Sequence, residues 1–256
     1  VFSVVKNRAR QGLRFSRLLA NLLSGSAFIG ACYQFPQVSK IDQNELNDYA
    51  LFTLWVEDLV RSMNTEVVVE GSPMEASGLF VSNHISWLDT IVFNHLRPVG
   101  FIARHDLEEW PLLGTFTKRM GSIYINRTNK FEAYRSIPYL EERLRQGGSV
   151  HLFPESTTSV GAEVLPFFPM FYEAAVRVGV PVQPVALKYT DEFGRLLPEP
   201  AFIDDDSFID TLERILRVEK VYAHVRYLEP MDSASLCRKG LARRTREMIG
   251  AELKLI

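Results

Sequence analysis

Between Thr65 and Tyr227 the chain keeps returning to one alternation: a short apolar run, a turn-prone gap, then apolar residues at helical spacing. The short runs are Thr65–Glu70, Gly78–Ser82, Val99–Ala103, Ser122–Asn126, Ser149–Phe153, Val182–Lys188 and Val221–Tyr227. The helical patterns cover Trp87–Leu96, Leu107–Met120, Lys130–Arg145 and Phe168–Val178, followed by Asp206–Arg217 and Ser233–Leu253. Strands that run the same way need crossover connections, and the intervening helices supply them. The alternation therefore predicts an α/β fold, a mostly parallel sheet of about seven strands flanked by helices. Asn129 is placed to cap the start of the third helix, and Gly147-Gly148 to stop it.

No repeat and no long linker divides this region, so residues 65–256 read as one α/β domain and residues 1–64 as a separate N-terminal element. Lys plus Arg number 29 and Asp plus Glu 31, so the summed charge is near zero and no nucleic-acid partner is expected. Cys32 and Cys237 lie in unlike contexts, and neither a disulfide nor a metal site is expected.

The N-terminal element is lopsided in charge. Lys6, Arg8, Arg10, Arg14 and Arg17 precede an uncharged run, Leu18–Tyr33, and the first acid is Asp42. As a helix that run reaches about 24 Å, short of the ~30 Å hydrocarbon core, and Pro36 is placed to end it. The expectation is a segment embedded in one leaflet, its basic end held at an anionic cytoplasmic surface. The same order, with Ile29-Gly30-Ala31-Cys32, also fits a secretory leader with a lipoprotein cleavage site. A second helix follows over Asn44–Met63, with Leu46, Tyr49, Phe52, Trp55, Val56, Leu59 and Met63 on one stripe.

The chemistry concentrates in Val81-Ser82-Asn83-His84-Ile85-Ser86-Trp87-Leu88-Asp89-Thr90. It puts His84 at a strand end, where open α/β sheets present their working groups. Asp89 lies five residues on, too far for an i,i+4 helical pair. With His84 in the turn and Asp89 in the first helical turn, the carboxylate reaches back to the imidazole, fixes its tautomer and leaves the other nitrogen to take a proton. The bland alternative is a plain helix start, with Ser86 as N-cap and Asp89 complementing the dipole.

Four further blocks follow: Phe101–Arg104 with Trp110–Gly114, Gly121–Arg127, Phe153–Ser159 and Val180–Leu187. With the histidine stretch, in this order and spacing, they resemble the glycerolipid acyltransferases, the 1-acylglycerol-3-phosphate acyltransferase family, over about Glu66 to Leu187. The resemblance implies O-acyl transfer to a lyso-lipid, with His84 as general base and Asp89 as its orienter. Acyl-CoA or acyl carrier protein is the implied co-substrate, with no cofactor. It implies acceptor-binding parts for Arg104, Arg127, Glu155, Ser156 and Thr157. It further implies a pair of N-terminal helices docked on the bilayer, with the enzyme at the cytoplasmic face of the inner membrane. An exported enzyme would be out of reach of cytoplasmic acyl donors, which weighs against the leader.

The residues agree with direct transfer. The sequence has no Gly-x-Ser-x-Gly elbow, no His-Glu-x-x-His, no Cys-x-x-Cys and no Gly-rich dinucleotide loop. Oxyanion donors are expected among backbone N–H groups at the start of the helix after His84. One block departs from the family. Its usual reading is Phe-Pro-Glu-Gly-Thr-Arg-Ser, whereas here Ser156 replaces the glycine and Thr158 the arginine. A threonine hydroxyl does not replace a bidentate cation. Lysophosphatidate is therefore one expected acceptor and a phosphate-free lipid such as lyso-ornithine lipid another, since family branches acylating such lipids also look similar here. A non-catalytic lipid-binding protein is the remaining reading.

Overall fold

In the computed structural model, residues 11–25, 45–105, 117, 121–126 and 130–256 are described, with 45–51 and 130 by backbone alone. Helix α1 covers 11–25 and α2 covers Glu45–Ser62. Strands β1 (Thr65–Glu70), β2 (Leu79–Ser82), β3 (Gly100–Arg104), β4 (Ile123–Ile125), β5 (Val150–Leu152), β6 (Val182–Thr190) and β7 (Val221–Tyr227) form one sheet. The helices between and after them are α3 (Leu88–Leu96), α4 (Lys130–Arg135), α5 (Ile137–Arg145), α6 (Tyr172–Val178), α7 (Phe208–Arg217) and α8 (Arg238–Glu252).

The sheet order is β1-β7-β6-β2-β5-β3-β4. Strands β6, β2, β5, β3 and β4 are parallel, and β7 pairs antiparallel with β6 but parallel with β1. The α/β class and the mostly parallel, seven-strand sheet are thus as expected. Because β2, β5, β3 and β4 point the same way, His84, Glu155, Arg104 and Asn126 all lie at the carboxyl edge of the sheet.

Side chains of the central strands β2 and β5 alternate between two cores. Phe80, Phe153, Val185, Leu187 and Tyr189 pack with Leu18 of α1, Leu59 of α2, Val92 and Phe93 of α3, and Ile215 of α7. Leu79, Val81, Val150 and Leu152 pack on the opposite face with Leu140 and Leu144 of α5, Tyr172 of α6 and Leu241 of α8. Burying the sheet on both faces explains why its strands read as near-continuous apolar runs.

Two expectations shift. The single helix over Lys130–Arg145 is two, separated at Ser136, because Pro138 offers no N–H to continue the ladder. Helix α8 begins at Arg238 after a short 3₁₀ turn, Ser233–Ser235. Its Arg246, though exposed, donates to the carbonyls of Val164 and Leu165 at 2.9 Å each. The uncharged N-terminal run is helical through residue 25. The rest of it, with Cys32 and Pro36, lies outside the described residues, as do the helix over Leu107–Met120 apart from Thr117, the Trp110–Gly114 block, Arg127 and Asn129. Among the described residues no helix is long and apolar enough to cross a membrane.

Candidate active site

At the end of β2 the chain leaves the sheet through Asn83, whose side chain stands in for a strand partner. Its Nδ2 donates to Leu187 O at 2.8 Å, and its Oδ1 accepts from Leu187 N at 3.0 Å. This buried two-way bond to β6 ends the ladder and sends the next residue, His84, out over the sheet edge. A turn follows, and α3 starts with Trp87 at its N-cap position.

Asp89, in the first turn of α3, is fully buried and points backwards. Its Oδ2 accepts from His84 Nδ1 at 2.8 Å, from Ile85 N at 2.7 Å and from Ser86 N at 3.0 Å. Its Oδ1 accepts from the Tyr189 hydroxyl at 2.8 Å. Four donors hold one carboxylate. A buried charge is tolerated only when bonded in this way, and the same bonds leave it one orientation. With Nδ1–H committed to Asp89, the proton-accepting lone pair of His84 is on Nε2. The His84 side chain keeps 14% of its surface exposed, and its ring lies on Phe153 with centroids 3.9 Å apart and planes 14° from parallel.

The Ser86 hydroxyl does not cap the helix; it is buried with no hydrogen-bond partner among the described residues. The expected oxyanion donors narrow as well. The N–H groups of Ile85 and Ser86 are occupied by Asp89, which leaves those of Trp87 and Leu88 at the helix start.

Glu155, after β5, is 2% exposed. Its Oε2 accepts from His84 N at 3.2 Å and its Oε1 from Leu165 N at 3.0 Å. It is thus a buried brace between two loops, and burial pushes its carboxyl up to about 7. The same loops are joined again by Ser159 N donating to His84 O at 3.0 Å. Gly161 closes the contact: at φ +76°, an added Cβ would lie 2.6 Å from Ile85 Cδ1. Arg104 is exposed at the end of β3, two strands from β2 in the sheet. Ser156 and Thr157 are exposed beside Glu155.

The acyltransferase family model matches residues 61–188. A lyso-ornithine lipid O-acyltransferase of Pseudomonas aeruginosa is 31% identical over 242 residues, 94% of this chain and 93% of that protein. The chain belongs to the acyltransferase family. The 1-acyl-sn-glycerol-3-phosphate acyltransferase of Neisseria meningitidis is 32% identical over 164 residues, 64% of either chain. The solved structure of the 1-acyl-sn-glycerophosphate acyltransferase PlsC of Thermotoga maritima shares the fold, with a TM-score of 0.65 and 21% identity, over 93% of this chain and 96% of that one.

In this acyltransferase the departing block has its own geometry. Ser156 sits at φ +58°, the left-handed region a glycine adopts without strain, so the backbone demand persists after the glycine is gone. Thr158 turns its hydroxyl to the Phe202 carbonyl. Three residues that sequence reasoning passed over also shape the site: Asn83, Phe153 and Tyr189. Each looks like one more position of a buried strand or its end. A pointer was available for Tyr189 alone: β6 and β2 are parallel neighbours, so a hydroxyl at the carboxyl end of one reaches the turn at the end of the other.

Proposed function

We propose that this acyltransferase moves a fatty acyl group from an acyl thioester to the free hydroxyl of a lyso-lipid, with His84 as general base. The observation that carries the reading is a partly exposed histidine at a strand end whose Nδ1 is held by a buried, fully bonded carboxylate. As the acceptor oxygen attacks the thioester carbonyl, its proton passes to His84 Nε2. Asp89 keeps the ring in the required tautomer and stabilises the imidazolium. The new carbon–oxygen bond leaves an oxyanion, for which the donors we assign are the Trp87 and Leu88 N–H groups, since those of Ile85 and Ser86 are taken by Asp89. Collapse breaks the carbon–sulfur bond, and the departing thiolate takes the proton from His84. The thioester is already activated, so no acyl-enzyme is needed. Glu155 braces the His84 backbone in this scheme.

The acceptor we favour carries no phosphate monoester: a lyso-ornithine lipid, with a carboxylate and an ammonium in its head group. Its support is Thr158 in place of a cation and similarity along nearly the whole chain to an enzyme named for that acceptor. Arg104, Arg127, Ser156 and Thr157 are the residues proposed to meet the head group, the carboxylate going to the cations. Residues 1–64 are proposed as the bilayer-facing part, at the cytoplasmic face where acyl-CoA or acyl carrier protein is supplied. In support, Phe15, Leu19 and Leu23 are exposed at four-residue spacing along α1. The test is a competition assay in which purified protein meets lyso-ornithine lipid, lysophosphatidate and other lysophospholipids, with acyl-CoA and with acyl carrier protein as donors. Preference for lyso-ornithine lipid is expected; preference for lysophosphatidate would overturn the acceptor assignment and leave the base assignment standing.

A further inference from the structure

We propose that Tyr189 is a positioning residue for acyl transfer, its hydroxyl fixing the orientation and basicity of Asp89 and, through Asp89, the proton affinity of His84. This rests on the reading of His84 as base. Tyr189 lies on β6, a hundred residues from Asp89, and its ring is fully buried in the core that lines the His84 side of the sheet. Among the described residues it supplies the one donor to Asp89 Oδ1, whereas the other three donors, from His84, Ile85 and Ser86, all meet Oδ2. The carboxylate is thus held at both oxygens, and rotation of Asp89 about its terminal bond would break every one of these bonds at once.

The hydroxyl also draws on the charge of the carboxylate. A hydrogen bond to an ionised acid stabilises the ionised form, and without it Asp89 would attract the His84 proton more strongly. Burial, reinforced by Asp89 itself, pushes the Tyr189 phenol far above its usual range, so it stays a donor throughout working pH. Other groups face the pair. Glu155, from the loop after β5, bonds the His84 backbone, and Arg246 of α8 lies within electrostatic reach of Glu155. His151 of β5 is neutral, pulled down to about 3 by burial. Neither Glu155 nor His151 bonds Asp89, although the Glu155 carboxyl feels the charge of Asp89, so among the described residues Tyr189 is the side chain outside the turn and α3 that bonds it.

The experiment compares Tyr189→Phe with Tyr172→Phe. Tyr172 is equally buried and its hydroxyl is bonded at 2.7 Å, but to Thr245 on the opposite face of the sheet. Each variant loses one hydroxyl from a buried ring, so both should fold with similar losses of thermal stability. Only Tyr189→Phe should lower kcat, by about tenfold with KM nearly unchanged. Only Tyr189→Phe should also move the acid limb of the kcat–pH profile upward, because an unrestrained Asp89 holds the imidazolium more tightly. The His84 Nδ1–H resonance, followed by NMR without any turnover, should shift in the same variant and stay put in Tyr172→Phe. If Tyr189→Phe keeps the parental profile and the parental resonance while losing stability, the residue is a core tyrosine and the proposal fails. Activity surviving in His84→Ala would instead defeat the base assignment, so the two failures are distinguishable.

Discussion

Two histidines touch the same phenylalanine and do opposite things. His84 stacks on Phe153 at 3.9 Å and His151 lies 5.1 Å from it, centroid to centroid. His84 leaves the sheet, gains Asp89 on one nitrogen and keeps part of its surface open. His151 stays within β5, bonds the Ser82 hydroxyl at 2.8 Å and is shut in by Phe80, Phe93 and Phe101. Burial without a carboxylate holds His151 neutral down to about 3. Ser82 and His151 have the spacing of a nucleophile and its base, yet both are buried within the sheet, out of reach of any lipid. What separates an imidazole open at the sheet edge from a packed one here is four residues of register, since His151 lies opposite Phe80, together with an acid behind it.

The contrast is broken most severely at His84. His84→Ala should lower kcat/KM by about a thousandfold while circular dichroism and vesicle binding stay parental. Asp89→Asn leaves the shape but offers the ring a mixed donor and acceptor. A fall in kcat of about a hundredfold is expected in steady-state assays, larger than any change in KM. At the other histidine the effect changes kind. His151→Ala should cost about 3–4 kcal/mol of stability, by cavity formation and by stranding the Ser82 hydroxyl, with the folded fraction turning over within a few-fold of the parent. Equal loss of catalysis in His151→Ala and His84→Ala, in protein shown to be folded, would erase the distinction.

The His84 half of this division was legible in the sequence, and what was not has a common cause. Strands β1 and β7 match their expected bounds because turn residues delimit them and their patterns are local. His84 and Asp89 were readable because they share one turn. Glu155 was read from resemblance as an acceptor contact, but its oxygens meet backbone groups ten and seventy-one residues away. The bonds of Arg246 to carbonyls about eighty residues distant have no signal in the helical spacing of its own segment. Tyr189 lies one residue beyond the expected strand Val182–Lys188, which in the fold runs on to Thr190. Periodicity reports which face a residue occupies, and bonds between loops that meet only on folding leave no periodic trace.

Glu155 sharpens the comparison in the other direction, since it and His151 respond oppositely to pH. The Glu155 carboxyl rises in the fold from 4.5 to about 7, so its contribution is fully present below 4.5 and lost as pH rises through 7. His151 falls from 6.5 to about 3, so its contribution is present above 6.5 and lost as pH falls towards 3. The stability of the parent minus that of Glu155→Gln should therefore decline by up to about 3 kcal/mol between pH 4.5 and 7, by urea unfolding. A difference independent of pH would mean that the carboxyl is not desolvated as its burial implies.

Proton removal by His84 is tested most directly by the pH dependence of kcat/KM in the parent and in His84→Ala, measured with one acceptor and one thioester. The parent should lose activity as the pH falls, along an acid limb set by a single group. The residual rate of the variant should lack that limb. A variant that retained the parental limb would assign the proton to another residue and contradict the role given to His84.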